Sequence, residues 1–92
     1  MVLVSNMKSF VYLLFSEKDH RTYVGSSDNL ERRIVEHNNG KTASTRNRRP
    51  LKLIYKEEFE TLIESRTREK YLKTRKGRRE LKEIFKKINI GS

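Results

Sequence analysis

Phe10-Val11-Tyr12-Leu13-Leu14-Phe15 and, after a short polar gap, Arg21-Thr22-Tyr23-Val24-Gly25 decide how the rest of the chain reads. The first stretch is an unbroken aromatic and aliphatic run of strand length, the pattern of a sheet centre. Ser16 to His20 is polar and turn-like, and Arg21 to Val24 reads as a second strand that Gly25 ends. The two together predict a β-hairpin. Downstream, Asp28 and Glu31 have the spacing of a capping box, which starts a helix at Asn29. That helix runs to about His37 and stops at Asn38-Asn39-Gly40, residues that accept the left-handed conformation. Lys41 to Pro50 is a basic loop, and Leu51-Lys52-Leu53-Ile54-Tyr55 alternates as a third strand. Thr61-Leu62-Ile63-Glu64 is a second capping box and opens a long helix toward Arg75, which Gly77 interrupts. Leu81, Ile84, Phe85 and Ile88 then recur at i, i+3, i+4 and i+7, an amphipathic final helix. The order β-β-α-β-α-α predicts an α+β fold, a small three-stranded antiparallel sheet flanked by helices.

A chain of 92 residues makes one domain, expected to span 1–92 with its core at about 8–88. Although 37% of the residues are charged, the apolar ones fall in periodic runs and there is one proline, so the chain reads as folded. The net charge of +10 attracts polyanions, because neutralised phosphates release their condensed counterions. Charge alone leaves a generically basic protein and an anionic membrane surface as alternatives. The absence of cysteine excludes disulfides, thiolate zinc sites and cysteine nucleophiles. Met1 to Asn6 is too short for a signal peptide or a membrane span, so a cytoplasmic protein with no membrane partner is expected, and Met7 is a second possible start.

Helical wheels place several polar residues oddly. At 100° per residue, Arg33 and His37 share a stripe with Leu30 and Ile34, which must face the core. On spacing alone this is also the pattern of a snorkelling arginine and a satisfied histidine. In the long helix Leu62, Arg66, Glu69 and Lys73 share a stripe, which turns Glu69 toward the sheet. A structural ion pair would look the same. An inward glutamate nevertheless suits Mg²⁺, which keeps most of its waters and takes one or two carboxylates plus substrate phosphate. Tyr12 and Tyr23 sit on the two strands of the hairpin, within reach of each other, though most strand tyrosines are packing residues. His20 and His37 lack zinc-ligand spacing, and Gly25 and Gly40 stand alone rather than in a phosphate loop.

These residues form an ordered series. Phe10-Val11-Tyr12 followed by Tyr23-Val24-Gly25 resembles the paired GIY and YIG elements of the GIY-YIG nuclease superfamily. Tyr23-Val24-Gly25-Ser26-Ser27 with Asn29-Leu30, Arg32-Arg33 and Glu36-His37-Asn38 is similar to its YVGS segment and following helix. Thr45-Arg46, Arg49-Pro50 and Leu53 look like the TR…RP-x-x-L stretch of small stand-alone bacterial members, which are related to the nuclease domain of the excision-repair incision enzyme. Arg68-Glu69-Lys70 with Leu72-Lys73 resembles the R-E-K-x-x-K helix. Phe10 and Val11 depart from the first glycine and isoleucine of GIY, while the tyrosine is kept.

The resemblance implies a metal-dependent endonuclease that hydrolyses phosphodiester bonds, with a role in DNA repair. Tyr12 and Tyr23 would be active-site tyrosines, one of them the general base; Arg33 would hold the scissile phosphate with His37 beside it. Glu69 would bind a single Mg²⁺ or Mn²⁺. A nearby metal and Arg33 would favour the phenolate and lower the tyrosine pKa. Arg46, Arg48, Arg49 and the lysines of the last helices, Lys73 among them, are candidates for backbone contact. They carry no base-reading pattern, so binding should be salt-sensitive and weakly sequence-selective, to DNA in preference to RNA. A monomer or weak homodimer is expected. The alternative is a non-catalytic nucleic-acid-binding module on the same fold.

Overall fold

A computed structural model of the chain describes residues 8–90, with side chains as far as residue 88. The choice between Met1 and Met7 as the start lies outside the described residues. Strands β1 (Ser9–Ser16), β2 (Thr22–Ser27) and β3 (Leu51–Phe59) and helices α1 (Leu30–Asn38), α2 (Leu62–Leu72) and α3 (Arg75–Ile90) follow in the order β-β-α-β-α-α. The sheet is antiparallel with β1 in the centre and order β2-β1-β3, as the unbroken apolar run in β1 predicted.

Alternation along β1 sends its side chains to two different cores. Val11 and Leu13 join Val24, Leu72 and Leu81 on the face covered by α2 and α3. Tyr12 and Leu14 join Leu51, Leu30 and Ile34 on the face covered by α1. A bulge in the β1–β3 register at Leu13/Leu14 lets Ile54 and Tyr55 both serve the first core, while Leu53 serves the second.

Several boundaries differ from expectation. Helix α1 begins at Leu30, and its cap is Asn29, whose side chain accepts from the Arg32 amide, so the expected Asp28 cap is displaced by one residue. Strand β2 does not stop at Gly25 but continues to Ser27. Strand β3 runs past Tyr55 to Phe59 because an edge strand can carry charge: Glu58 pairs with Lys8 and Glu57 with Arg68. The Thr61–Glu64 capping box forms as expected.

The junction of the last two helices falls at Lys73–Thr74, before Gly77. Thr74 restarts the helix, its hydroxyl accepting from the Gly77 amide at 3.1 Å. Gly77 is therefore inside α3, where its missing side chain lets the backbone of Tyr71 and Leu72 approach. Among the described residues no helix is long and apolar enough to cross a membrane.

Two polar devices fix the layers to the sheet. Arg68 on α2 forms a fork with Glu57 of β3 at 2.8 and 3.0 Å and also pairs with Glu80 of α3. Ser65 of α2 and Ser9 of β1, both fully buried, meet hydroxyl to hydroxyl at 2.6 Å, so α2 lies close against the sheet. Gly77→Ala is expected to lower stability by about 1–2 kcal/mol, because a backbone collision outweighs roughly 1 kcal/mol of helix propensity. Thermal unfolding followed by circular dichroism should show a fall in Tm, and an unchanged or higher Tm would contradict the close approach.

Candidate active site

His37 is fully buried, and both of its ring nitrogens are used. Nε2 lies 2.9 Å from the Tyr12 hydroxyl and Nδ1 2.7 Å from the Thr45 hydroxyl. Tyr12 and Thr45 are themselves almost wholly inaccessible. Thr45 stands at the start of a 3-10 turn (Arg46–Arg48), yet its hydroxyl caps no backbone amide and points at His37 instead. Together the three side chains make a polar column through the α1 core, joining the basic loop to the centre of the sheet.

Burial sets the charge state of this column. It pushes the Tyr12 phenol up to about 12, an effect larger than the opposing pull of the Arg33 guanidinium. Burial, aided by the Arg33 charge, drives His37 down to about 4, so the imidazole is neutral at pH 7. Without a metal, then, Arg33 does not lower the Tyr12 pKa overall as expected, because desolvation of the phenolate wins. A neutral imidazole has two tautomers with different consequences. With the proton on Nδ1, Tyr12 donates to His37; with it on Nε2, the Tyr12 oxygen accepts from His37.

Gly25 explains how the Tyr12 hydroxyl reaches the rim. Tyr12 opposes Gly25 across the β1–β2 ladder, and its ring lies over the glycine, so a Cβ there would collide with the ring and hydroxyl. The glycine therefore leaves room for a crossing side chain rather than ending the strand. Tyr23, on the same face, packs edge-on against His37 at 5.2 Å between ring centroids but is only half-buried. Arg33 is also half-exposed and is braced by Glu36 at 3.0 Å, which leaves its other donors free. Tyr12, Tyr23, Arg33 and His37 are thus gathered at one place, two of them beneath the surface and two at it.

Glu69 approaches the same stretch of β2 from α2, on the opposite face of the sheet. One carboxylate oxygen accepts from the Ser26 hydroxyl at 2.5 Å and the other from Lys73 Nζ at 2.7 Å. Lys73 also sits over the Tyr23 ring, 5.9 Å from its centroid, linking Glu69 to the tyrosines around the β2 edge. Glu69 is fixed in turn by its neighbour Arg68, whose fork locks α2 to β3 and α3.

The remaining basic candidates separate. Arg48 is bound up in the scaffold: its Nε donates to Asp19 at 2.7 Å, a second nitrogen to the Thr22 carbonyl, and its own carbonyl accepts from buried Ser16. The guanidinium holds the Asp19 carboxyl down at about 2. Arg49 is exposed and folds back on the Arg46 carbonyl, while Arg46 projects from the turn without an acidic partner among the described residues. Thr45 and Ser26 stood within the quoted motifs but were given no role, since a loop threonine or strand serine carries no mark of its hydrogen-bond partner.

The comparisons with known proteins give the family and the fold. The family model described as the GIY-YIG catalytic domain matches residues 8–83. A UPF0213 protein of Staphylococcus saprophyticus is 40% identical over 78 residues, covering 84% of this chain and 94% of its own. One from Clostridium perfringens is 48% identical over 66 residues, covering 71% and 70%. The solution NMR structure of a UPF0213 protein from Bacillus halodurans covers 85% of both chains at 31% identity, with a TM-score of 0.51. GIY-YIG is a family of nucleases that act on nucleic acid and generally use divalent metal ions. This chain is similar over most of its length to UPF0213 proteins, and it belongs to the GIY-YIG catalytic-domain family.

Proposed function

We propose that this protein is a metal-dependent endonuclease that hydrolyses phosphodiester bonds, with DNA as substrate and little sequence selectivity. The observation that carries this reading is the convergence of Tyr23, Arg33 and Glu69 from three elements on the β2 edge, above the buried Tyr12–His37–Thr45 column.

The site suits a hard cation. No group of three or more histidine, cysteine, aspartate or glutamate residues gathers among the described residues. Mg²⁺ or Mn²⁺ would therefore be held by Glu69 with water and substrate phosphate completing its shell. The Glu69 oxygen that faces Lys73 supports this, because its partner is a half-exposed amine on a long stem that can swing aside. A bound divalent ion supplies charge neutralisation at the phosphoryl oxygens and the leaving oxygen.

The chain's own residues divide the remaining work. Arg33 offers its free guanidinium donors to the phosphate, adding fixed positive charge where negative charge develops. Tyr23 presents its ring at the solvent boundary and is the group that takes the proton from water. Tyr12 is protonated at neutral pH; with its phenol at about 12, forming the phenolate at pH 7 costs about 7 kcal/mol. Its role is to hold its hydroxyl under the reacting centre, donating or accepting as His37 allows. His37 is a positioning residue, since it is fully buried and reaches substrate only through Tyr12. Exposed Arg46 and Arg49 meet the nucleic-acid backbone, and Arg48 holds their loop in place.

Cleavage of labelled duplex, single-stranded and branched DNA and of RNA, with added Mg²⁺ or Mn²⁺, tests the reading. Wild type should cut DNA and Glu69→Ala should lose at least about a hundredfold in rate. Salt-sensitive binding by both proteins without cleavage by either would favour a binding module, with Glu69 serving as the ion-pair partner of Lys73. Among active variants, Tyr23→Phe should lose about a hundredfold or more in rate, and Tyr12→Phe should lose less. Full activity in both would end the tyrosine mechanism.

A further inference from the structure

The β2 edge and helix α3 enclose a groove of about 870 Å³, most of whose lining the proposed chemistry does not use. Its floor is apolar: Val24 and Leu72 are buried there, with half-buried Leu81 and Phe85 beside them. Phe85 stacks on Phe15 at 6.1 Å between ring centroids, so the aromatic surface is held flat. The rim carries Arg21, Lys73, Arg78, Lys82 and Lys86, and among the described residues no acidic side chain lines the groove. Arg78 and Lys82 are exposed and have no acidic partner among the described residues. One end of the groove is formed by Tyr23 and Lys73, and so runs directly into the candidate active site.

We infer that this groove receives an unpaired segment of the DNA strand adjoining the phosphodiester that is cut, a reading that rests on the proposed nuclease function. Two features of opposite character need one ligand that satisfies both. An unpaired strand has exposed base faces for the apolar floor and phosphates for the cationic rim. A duplex offers only its phosphates, because its base faces are stacked inside, and the apolar floor would stay uncovered. Continuity with Tyr23 sets the direction: the strand leaves the reacting phosphate past Lys73 and follows α3 toward Lys86.

Fluorescence anisotropy with a labelled oligodeoxythymidylate, a blunt DNA duplex of equal length and an oligouridylate tests this on the full chain, without divalent metal so that nothing is cut. Wild type should bind the single DNA strand more tightly than either of the others. Arg78→Gln combined with Lys82→Gln should weaken single-strand binding roughly tenfold and lower its salt slope by about 1.4, with a smaller effect on the duplex. Both side chains are exposed, so the pair carries the test even if Phe85→Ala, which also loses the Phe15 stack, fails to fold. Equal weakening of strand and duplex, duplex binding as tight as single-strand binding, or RNA binding as tight as DNA binding would each overturn the inference. A protein that binds as expected yet cuts no substrate would sink the nuclease reading and leave the groove standing. One that cuts DNA but binds it without regard to Arg78 and Lys82 would do the reverse.

Discussion

The hydrogen bond between the Tyr12 hydroxyl and His37 Nε2 is the constraint around which the rest is arranged. It is formed in the core, where each of its polar atoms would cost on the order of 1–3 kcal/mol if left alone. Every element near it is shaped by that requirement. Gly25 must lack a side chain for the Tyr12 ring to cross β2. Thr45 must give up the capping role of its kind to satisfy the other imidazole nitrogen. The basic loop must then lie against α1, and it is held there from the far side by Arg48, Asp19 and Ser16. Asn38 completes the arrangement by bonding both the amide and the carbonyl of Leu51, which ties the end of α1 to the start of β3.

A second, independent anchor works on the opposite face of the sheet. The Arg68 fork and the Ser9–Ser65 contact determine how far α2 stands from the strands, and hence where Glu69 points. The candidate site exists because both anchors deliver side chains to the same few residues of β2. Being an edge strand, β2 can be approached from both faces and from the side. The charged groups meet solvent there, while the Tyr12–His37–Thr45 hydrogen bonds beneath them stay dry. This division reconciles a small hydrophobic core with a polar site: the buried column is neutral at pH 7, so it avoids the cost of an enclosed charge.

Much of this was legible in the residues. The apolar run in β1, the Thr61–Glu64 box and the i, i+3, i+4, i+7 pattern of α3 each follow from a local period or cap, and local physics is what a sequence displays. The inward placement of Arg33, His37 and Glu69 followed from helical geometry in the same way. Gly25 and Gly77 were read as punctuation, because a glycine signals freedom of the backbone but not which neighbour occupies the space it leaves. The contacts of Thr45 and Ser26 and the pairing of Arg48 with Asp19 were invisible for a related reason: each depends on a partner brought close only by the folded chain. The burial that raises the Tyr12 pKa is likewise a tertiary property.

The architecture beneath the site depends on a neutral, enclosed imidazole that sets the behaviour of Tyr12 from below. Titration of the His37 ring nitrogens by ¹⁵N NMR measures that directly. The account predicts an imidazole that stays neutral as the pH falls below 6 and protonates only near 4. Protonation at the ordinary histidine value of about 6.5 would show that the column is open to water, and would contradict the account.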